Sequence, residues 1–196
     1  VTLWTDSMNK SPAKARVHSN LGYAYYLEGD YEKALKYVEN AIRMDSKYVD
    51  AYNNAGRIYY EKEDLKKAGW FFIKAYDINP NYIYVLNNLG LVLHRTGYYS
   101  LAHNYYQLGI KSDPDFYPVI FNLGNLYQDL KMWRKAIFLY QRVHEINPDH
   151  YKALYNAGNC YFQLNELDKS TEYYQKALKI EPENPDCLNN LGNVYY

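Results

Sequence analysis

The stretch from residue 86 to residue 93 reads LNNLGLVL, and it decides the fold because its pattern occurs six times. The other copies are HSNLGYAY (18–25), YNNAGRIY (52–59), IFNLGNLY (120–127), LYNAGNCY (154–161) and LNNLGNVY (188–195). Their central glycines follow one another at a constant separation of 34 residues: Gly22, Gly56, Gly90, Gly124, Gly158 and Gly192. A fixed period of this length indicates a repeat architecture, in which one supersecondary unit stacks on the next.

Each repeat, numbered from the residue seven before its glycine, has three further regular positions. Position 20 is small in Ala34, Ala68, Ala102, Ala136 and Ser170. Position 24 is aromatic or β-branched in Val38, Phe72, Tyr106, Tyr140 and Tyr174. Position 32 is proline in Pro80, Pro114, Pro148 and Pro182, with Ser46 in the first repeat. Since proline stops a helix and a turn is predicted near positions 15 to 17, each repeat is predicted to be helix A, turn, helix B.

One face of helix A is predicted to be buried. At about 100° per residue, positions 4, 7, 8 and 11 lie together, and these positions are mostly apolar, aromatic or small. Glycine at position 8 costs a helix about 0.5–1 kcal/mol relative to alanine. Its recurrence therefore indicates that another helix backbone or a large side chain comes close to it. We expect the small residue at position 20 to lie opposite.

These spacings closely resemble the tetratricopeptide repeat, across nearly the whole chain. The resemblance implies an all-α fold, an α-solenoid in which helix-turn-helix hairpins stack into a right-handed superhelix. The predicted array spans 1–196: the end of a preceding B helix and a linker at 1–14, five repeats at 15–48, 49–82, 83–116, 117–150 and 151–184, and the A helix of a truncated sixth repeat at 185–196. Two departures from the family pattern are local, since Gly109 and Val143 occupy position 27, where alanine is usual.

Charge and composition exclude several classes of partner. The chain has 22 Lys plus Arg and 22 Asp plus Glu, and therefore no formal net charge. With no basic stripe either, a nucleic-acid partner is not expected. No run approaches the roughly 18 apolar residues that span a bilayer, so direct membrane insertion of this segment is not expected. Cys160 and Cys187 lack a CxxC or Cys/His spacing, which argues against a disulfide framework or a structural zinc site.

The opposite face of helix A is polar and carries asparagine at regular intervals. Positions 2, 5, 6, 9, 12 and 13 lie there, and the resemblance implies that this face lines the concave groove. Position 6 is asparagine in all six copies: Asn20, Asn54, Asn88, Asn122, Asn156 and Asn190. Because a carboxamide offers one acceptor and two donors, this ladder predicts capture of the backbone of an extended peptide. The alternative is structural, since asparagine here can also form helix-to-helix hydrogen bonds without a ligand.

Neighbouring positions complete the predicted groove. Further carboxamides occupy position 5 in Asn53, Asn87 and Asn189 and position 9 in Asn125, Asn159 and Asn193. Of these, Asn53, Asn87, Asn125 and Asn159 are candidates for the groove, and the remaining candidates are Arg57, Tyr84, Phe121 and Tyr155. Chaperone-binding members of the family hold a C-terminal carboxylate with Lys and Arg at positions 5, 2 and 6. Here position 6 is asparagine throughout and position 5 has no lysine, so chaperone tails are not expected as ligands.

No constellation of residues points to catalysis. The five histidines lack an HExxH or His/Cys pattern, and the glycines are not grouped as GxGxxG or GxxxxGK. The sequence therefore predicts a protein that is not an enzyme, with no cofactor and no metal.

Three functional hypotheses follow. The first is a non-catalytic scaffold that binds an extended segment of a partner protein in its groove. The second is the substrate-recruiting arm of a larger enzyme, because LWTDSMNKSPAKAR (3–16) is similar to the linker before such arrays in polytopic, glycosyltransferase-like membrane proteins. The third is end-to-end self-association through the uncapped helix at 185–196. The compartment stays open between the cytoplasm and the non-cytoplasmic side of a membrane-tethered parent protein.

Overall fold

A computed structural model describes residues 15–194. Over these residues it contains eleven α-helices and no β-strand, which confirms the all-α, solenoid-type fold class. The helices are α1 (Ala15–Leu27), α2 (Tyr31–Met44), α3 (Val49–Glu61), α4 (Leu65–Ile78), α5 (Ile83–Arg95), α6 (Tyr99–Ser112), α7 (Tyr117–Asp129), α8 (Trp133–Ile146), α9 (Tyr151–Gln163), α10 (Leu167–Ile180) and α11 (Pro185–Val194). The predicted helix end and linker at 1–14, and residues 195–196 of the predicted last helix, lie outside this range.

The chain divides into two compact units. One runs up to Tyr105 and the other begins at Tyr106, so that the boundary falls within α6. In both units the odd-numbered helices α1 to α11 are the predicted A helices, and the even-numbered helices are the predicted B helices. Each unit is therefore a set of stacked helical hairpins.

The turn between helix A and helix B has the same backbone conformation in every repeat. Position 15 has a positive φ in all five turns, at Gly29 (79°), Glu63 (61°), Gly97 (83°), Lys131 (57°) and Asn165 (58°). In the first turn the Asp30 N–H donates to the Tyr25 carbonyl oxygen over 3.0 Å, which satisfies a carbonyl at the end of α1. Glutamate and lysine adopt this left-handed conformation only at a cost. Tertiary packing of the hairpin therefore outweighs the local preference of the chain.

The repeated glycine lets helix B pack closely against helix A. A Cβ atom on Gly56 would lie 2.5 Å from the Phe72 ring, and one on Gly158 would lie 2.7 Å from the Tyr174 ring. The close approach is as predicted. Position 20 also lies opposite the glycine, since Ser170 Oγ donates to the Gly158 carbonyl oxygen over 2.9 Å, but the side chain that fills the space is the one at position 24. Around Gly22 position 20 also comes near, since the Ala34 carbonyl oxygen would be 3.0 Å from the added atom. The larger side chain at position 24 fills the space beside the glycine, because glycine has no Cβ atom there.

Helix A also has a second buried face, which the sequence analysis did not predict. Positions 3, 7 and 10 of α3 pack against helix α2 of the preceding repeat, through Ala51, Ala55 and Ile58, all fully buried. The equivalent positions of α5 pack on α4 in the same way. Within a unit, one face of helix A therefore packs on its own helix B while a second face packs on the preceding repeat.

The two departures from the family pattern are accommodated locally. Gly109 is buried, and a Cβ atom there would lie 3.1 Å from the two methyl groups of Val119, so Val119 occupies the space that alanine would fill. Val143 is fully buried as well. Both residues that depart from the family pattern thus lie in the core of the second unit.

Candidate functional site

In the first unit, the ladder asparagines link successive A helices through position 5. Asn54 Nδ2 donates to Ser19 Oγ over 3.1 Å, and Asn88 Nδ2 donates to Asn53 Oδ1 over 2.9 Å. The acceptors are buried: Ser19 is fully buried, and Asn53 is only 6% exposed. Each of these two carboxamides therefore ties its repeat to the preceding repeat.

In the second unit, the position-6 asparagines bond to the carboxamide at position 9 of the preceding repeat. Asn156 Nδ2 donates to Asn125 Oδ1 over 3.1 Å, and Asn190 Nδ2 donates to Asn159 Oδ1 over 3.0 Å. Asn190 Nδ2 also donates to the Tyr155 hydroxyl over 3.0 Å. Position 5 carries no carboxamide in these repeats because it is Phe121 and Tyr155.

Tyrosines from the B helices account for this switch. The Tyr174 hydroxyl donates to Asn159 Oδ1 over 2.6 Å, and the Tyr140 hydroxyl lies 2.8 Å from Asn125 Oδ1. In the first unit position 24 is Val38 or Phe72, which has no hydroxyl. Burial raises the pKa of Tyr174 to about 12, so its hydroxyl stays protonated and remains a donor near neutral pH. The hydroxyl thus holds the position-9 carboxamide in place as an acceptor for the next repeat.

The remaining predicted ladder residues have varied surroundings. Asn20 and Asn122 are half-buried on α1 and α7. Asn87 is half-buried, and its Nδ2 donates to Asn88 Oδ1 over 3.4 Å. Tyr84 is 51% exposed and packs edge-on against the Tyr82 ring.

Arg57 forms an aromatic and charged cluster in the first unit. Its guanidinium lies 5.1 Å from the centre of the Tyr23 ring and 4.8 Å from the centre of the Tyr26 ring, within the range of cation–π attraction. The Tyr26 hydroxyl in turn donates to Glu61 over 3.3 Å. The cluster borders a cavity of about 200 Å³, which is lined by Tyr26, Arg57, Tyr60, Glu61, Phe72, Asn88 and Leu91.

The second unit contains a larger cavity, of about 720 Å³. It is lined by Gln128, Asp129, Lys131, Trp133, Asn159, Phe162, Gln163, Tyr174, Asn190 and Asn193. The sequence analysis identified Asn159 and Asn190 as site residues but missed Gln128, Gln163, Lys131 and Trp133. The two glutamines, at positions 12 and 13, could have been found from the helical periodicity. Lys131 lies in the turn after α7 and Trp133 begins α8, beyond the end of the helix A periodicity.

Phe121 packs beside a histidine that caps a helix. Its ring centre is 4.7 Å from that of His150, whose Nδ1 accepts a hydrogen bond from the Ala153 N–H at the start of α9, over 3.2 Å. Burial, together with the nearby Lys152 ammonium, lowers the pKa of His150 from its ordinary value of 6.5. Only the neutral imidazole can accept this bond.

Stability is therefore expected to depend on pH through His150. Because its folded-state pKa is depressed, its contribution is fully present above pH 6.5 and is lost as the pH falls through the lower folded value. Urea midpoints measured from neutral to mildly acidic pH check this. His150→Asn keeps a capping acceptor without titrating and should flatten part of the decline in stability at acidic pH. An unchanged pH profile in His150→Asn would contradict the assignment.

Neither a metal-binding cluster nor a membrane-spanning helix is found in the described part of the chain. Within residues 15–194, no three His, Cys, Asp or Glu side chains group so as to hold a metal ion. None of the helices described there has both the length and the apolar character needed to cross a membrane.

The stacked hairpins and their carboxamide-bearing A helices define an α-helical repeat protein. Models described as tetratricopeptide repeat match residues 15–48, 49–82, 83–116 and 118–150, and a model described as TPR repeat matches residues 158–196. The chain belongs to the tetratricopeptide repeat (TPR) family, as its spacings predicted. Its fold supports the general role of a protein-interaction scaffold. A search of curated proteins finds no match.

Solved structures include several similar TPR proteins. YrrB, described as a TPR protein with an unusual peptide-binding site, is 27% identical with a TM-score of 0.70, over 95% of this chain and 96% of that chain. PilF from Pseudomonas aeruginosa is 20% identical with a TM-score of 0.84, over 95% of this chain and 86% of that chain. A thermophilic TPR protein from Thermus thermophilus is 19% identical with a TM-score of 0.74, over 92% of this chain and 98% of that chain. The last two likenesses concern the fold alone.

Proposed function

We propose that the polar face of the A helices holds an extended segment of a partner protein, and that the protein is a non-catalytic interaction scaffold. The observation that carries this proposal is the set of hydrogen bonds that fix carboxamides on successive A helices, such as Asn88 to Asn53 and Asn190 to Asn159. A carboxamide has more donor and acceptor positions than these bonds use. An ordered row of them can therefore pair with the N–H and C=O groups of a peptide.

The structural role of these asparagines is compatible with binding. Their bonds to neighbouring repeats hold the carboxamides in one orientation before a ligand arrives, which lowers the entropy lost on binding. Similarity to YrrB, which is described as having a peptide-binding site, also supports a peptide ligand. Each new hydrogen bond contributes about 0.5–1.5 kcal/mol, and ordering a flexible peptide offsets much of the sum. We therefore expect micromolar affinity.

Random linear peptides displayed in a library and selected on the chain test the proposal. The groove variant removes two exposed carboxamides, Gln163→Ala and Asn193→Ala, neither of which holds a ladder bond given above. Loss of two hydrogen bonds should weaken the binding of the selected peptides by roughly 5- to 150-fold. Binding is measured by fluorescence polarisation.

The matched control removes two exposed carboxamides from helix α6, Asn104→Ala and Gln107→Ala. These side chains lie on a B helix, so the selected peptides should bind the control with unchanged affinity. Equal affinity in the groove variant, with its helical circular dichroism intact, would remove the A-helix face from the mechanism.

A further inference from the structure

The larger cavity of the second unit has a specific hydrogen-bonding pattern that goes beyond general backbone capture. Five carboxamides line it, and three of them, on three different A helices, form hydrogen bonds within the protein: Gln128 on α7, Asn159 on α9 and Asn190 on α11. The other two, Gln163 and Asn193, are exposed. For each of the three bonded carboxamides, the bonds to the rest of the protein determine whether its NH₂ group or its oxygen remains for a ligand. The inference below rests on the proposed function, because the ligand is a side chain of the bound segment.

Asn159 presents its NH₂ group. Its Oδ1 accepts from the Tyr174 hydroxyl over 2.6 Å and from Asn190 Nδ2 over 3.0 Å. These two bonds use both lone pairs of the oxygen. Since the protein occupies the oxygen, the part of Asn159 that serves the cavity is a pair of N–H donors.

Gln128 is oriented in the same sense. Its Oε1 lies 2.8 Å from the Tyr140 hydroxyl and 3.7 Å from Cys160 Sγ. Burial raises the pKa of Cys160 to about 12, so the thiol keeps its proton and acts as a weak donor. The Tyr140 hydroxyl has a single proton, which it shares between Gln128 and Asn125. Gln128 therefore also offers N–H donors to the cavity.

Asn190 has the opposite orientation. Its Nδ2 donates to Asn159 Oδ1 and to the Tyr155 hydroxyl, each over 3.0 Å, which uses both of its N–H bonds. Its Oδ1 remains as an acceptor on the cavity wall. Among the three carboxamides that the protein orients, two thus present NH₂ groups to the cavity and one presents a carbonyl oxygen.

The rest of the lining is balanced in charge and partly aromatic. Asp129 and Lys131 lie on the same turn and cancel in formal charge. A carboxylate of the ligand would be repelled by the Asn190 oxygen, and an ammonium of the ligand would be repelled by the N–H donors of Gln128 and Asn159. In neither case does the cavity have a net opposite charge that would offset the cost of removing the charged group from water. Trp133 and Phe162 supply apolar surface for methylene groups.

We propose that this cavity recognises a neutral side-chain carboxamide, from an asparagine or glutamine of the bound segment. The carbonyl oxygen of the ligand accepts from Gln128 and Asn159, and its NH₂ group donates to Asn190 Oδ1. Tyr174 is a positioning residue, because its hydroxyl fixes which end of Asn159 the ligand meets.

Capped single amino acids test this on the ¹⁵N-labelled chain. The probes are the N-acetyl methylamides of glutamine, glutamate, lysine and glycine, and the side-chain NH₂ signals of Asn159 and Gln128 are followed by NMR. The glutamine probe should shift both signals saturably, with a dissociation constant of roughly millimolar size for so small a ligand. The other three probes should bind at least about 5-fold more weakly, the effect of one hydrogen bond.

A variant pair isolates the role of Tyr174. Tyr174→Phe removes the hydroxyl but keeps the ring, and phenylalanine already occupies this position as Phe72 in the second repeat. It should reduce the preference for glutamine to within about 2-fold, because only the bond from Asn190 Nδ2 then holds the Asn159 oxygen and the carboxamide can turn more easily. Tyr173→Phe, one residue earlier, removes a hydroxyl that contacts Gln141 over 2.6 Å and should leave the preference intact.

Equal binding of all four probes, or no saturable shift with glutamine, overturns the carboxamide site. Equal binding of the glycine and glutamine probes means that the cavity binds main chain only, which overturns it too. The result with the capped amino acids is independent of the result with the displayed peptides, which tests the proposed function. Displayed peptides can bind the groove without a glutamine preference, and the glutamine probe can saturate the cavity when no displayed peptide binds.

Discussion

Replacing Gly56 with alanine is expected to lower the free energy of unfolding by about 1–3 kcal/mol, the usual cost of overpacking. An added Cβ atom would lie 2.5, 2.6 and 2.9 Å from three atoms of the Phe72 ring. Phe72 is 1% exposed, and although it also lines the cavity of about 200 Å³, three atoms of its ring would clash with the added Cβ atom at once. The ring or the helix must therefore shift, and that displacement outweighs the better helix propensity of alanine.

The matched control is Gly192→Ala, in the same position of the repeat on α11. No atom lies within 4 Å of the Cβ atom that would be added there. With no clash, the lower chain entropy of alanine should raise stability by about 0.5–1 kcal/mol. Urea unfolding followed by circular dichroism gives both values. Combining Gly56→Ala with Phe72→Leu should recover part of the loss, whereas equal effects of Gly56→Ala and Gly192→Ala would refute the packing argument.

Replacing Asn88 with alanine is expected to cost about 1–3 kcal/mol of stability, even without a ligand. Asn88 Nδ2 donates to Asn53 Oδ1 over 2.9 Å, and Asn53 is only 6% exposed. Removing the donor leaves a buried carbonyl oxygen without its partner, and the desolvation penalty of such a group is of this size. The same side chain therefore belongs both to the predicted groove and to the interface between repeats.

A double-mutant cycle separates these roles. If the pair interacts as described, Asn53→Ala combined with Asn88→Ala should cost less than the sum of the two single variants. Asn189→Ala, an exposed asparagine on α11, should change stability by no more than about 0.5 kcal/mol. Additive single effects, or a stable Asn88→Ala variant, would show that Asn88 contributes little to the repeat interface.

Several features of the fold follow from the sequence because they depend on spacing. The period of 34 residues, the turn at position 15 and the close approach at the repeated glycine need only helical geometry and the known effects of glycine and proline. Position 20 is predicted to lie opposite the glycine and does so, but the side chain at position 24 comes closer and is the one that fills the space. Both positions lie on the side of helix B that faces helix A. The length of the side chain at position 24 decides which of the two side chains fills the space beside the glycine.

The candidate site could likewise be predicted from the sequence only in part. Regular asparagines predict a row of carboxamides on helix A, but not which atoms those carboxamides bond. Asn88 uses position 5 of the preceding repeat, whereas Asn190 uses position 9, where the Tyr174 hydroxyl also bonds the acceptor. That choice requires three side chains from three helices to meet, and no single helical periodicity contains this information.

By itself, the sequence determined that helical hairpins repeat every 34 residues and that their A helices carry asparagine at a fixed position, because both depend on contacts that are local in the chain. Only the tertiary structure decided which end of each carboxamide is bonded within the protein and which end lines the cavity. The reason is physical: a carboxamide is a donor on one side and an acceptor on the other, and its orientation is set by the groups that surround it in space.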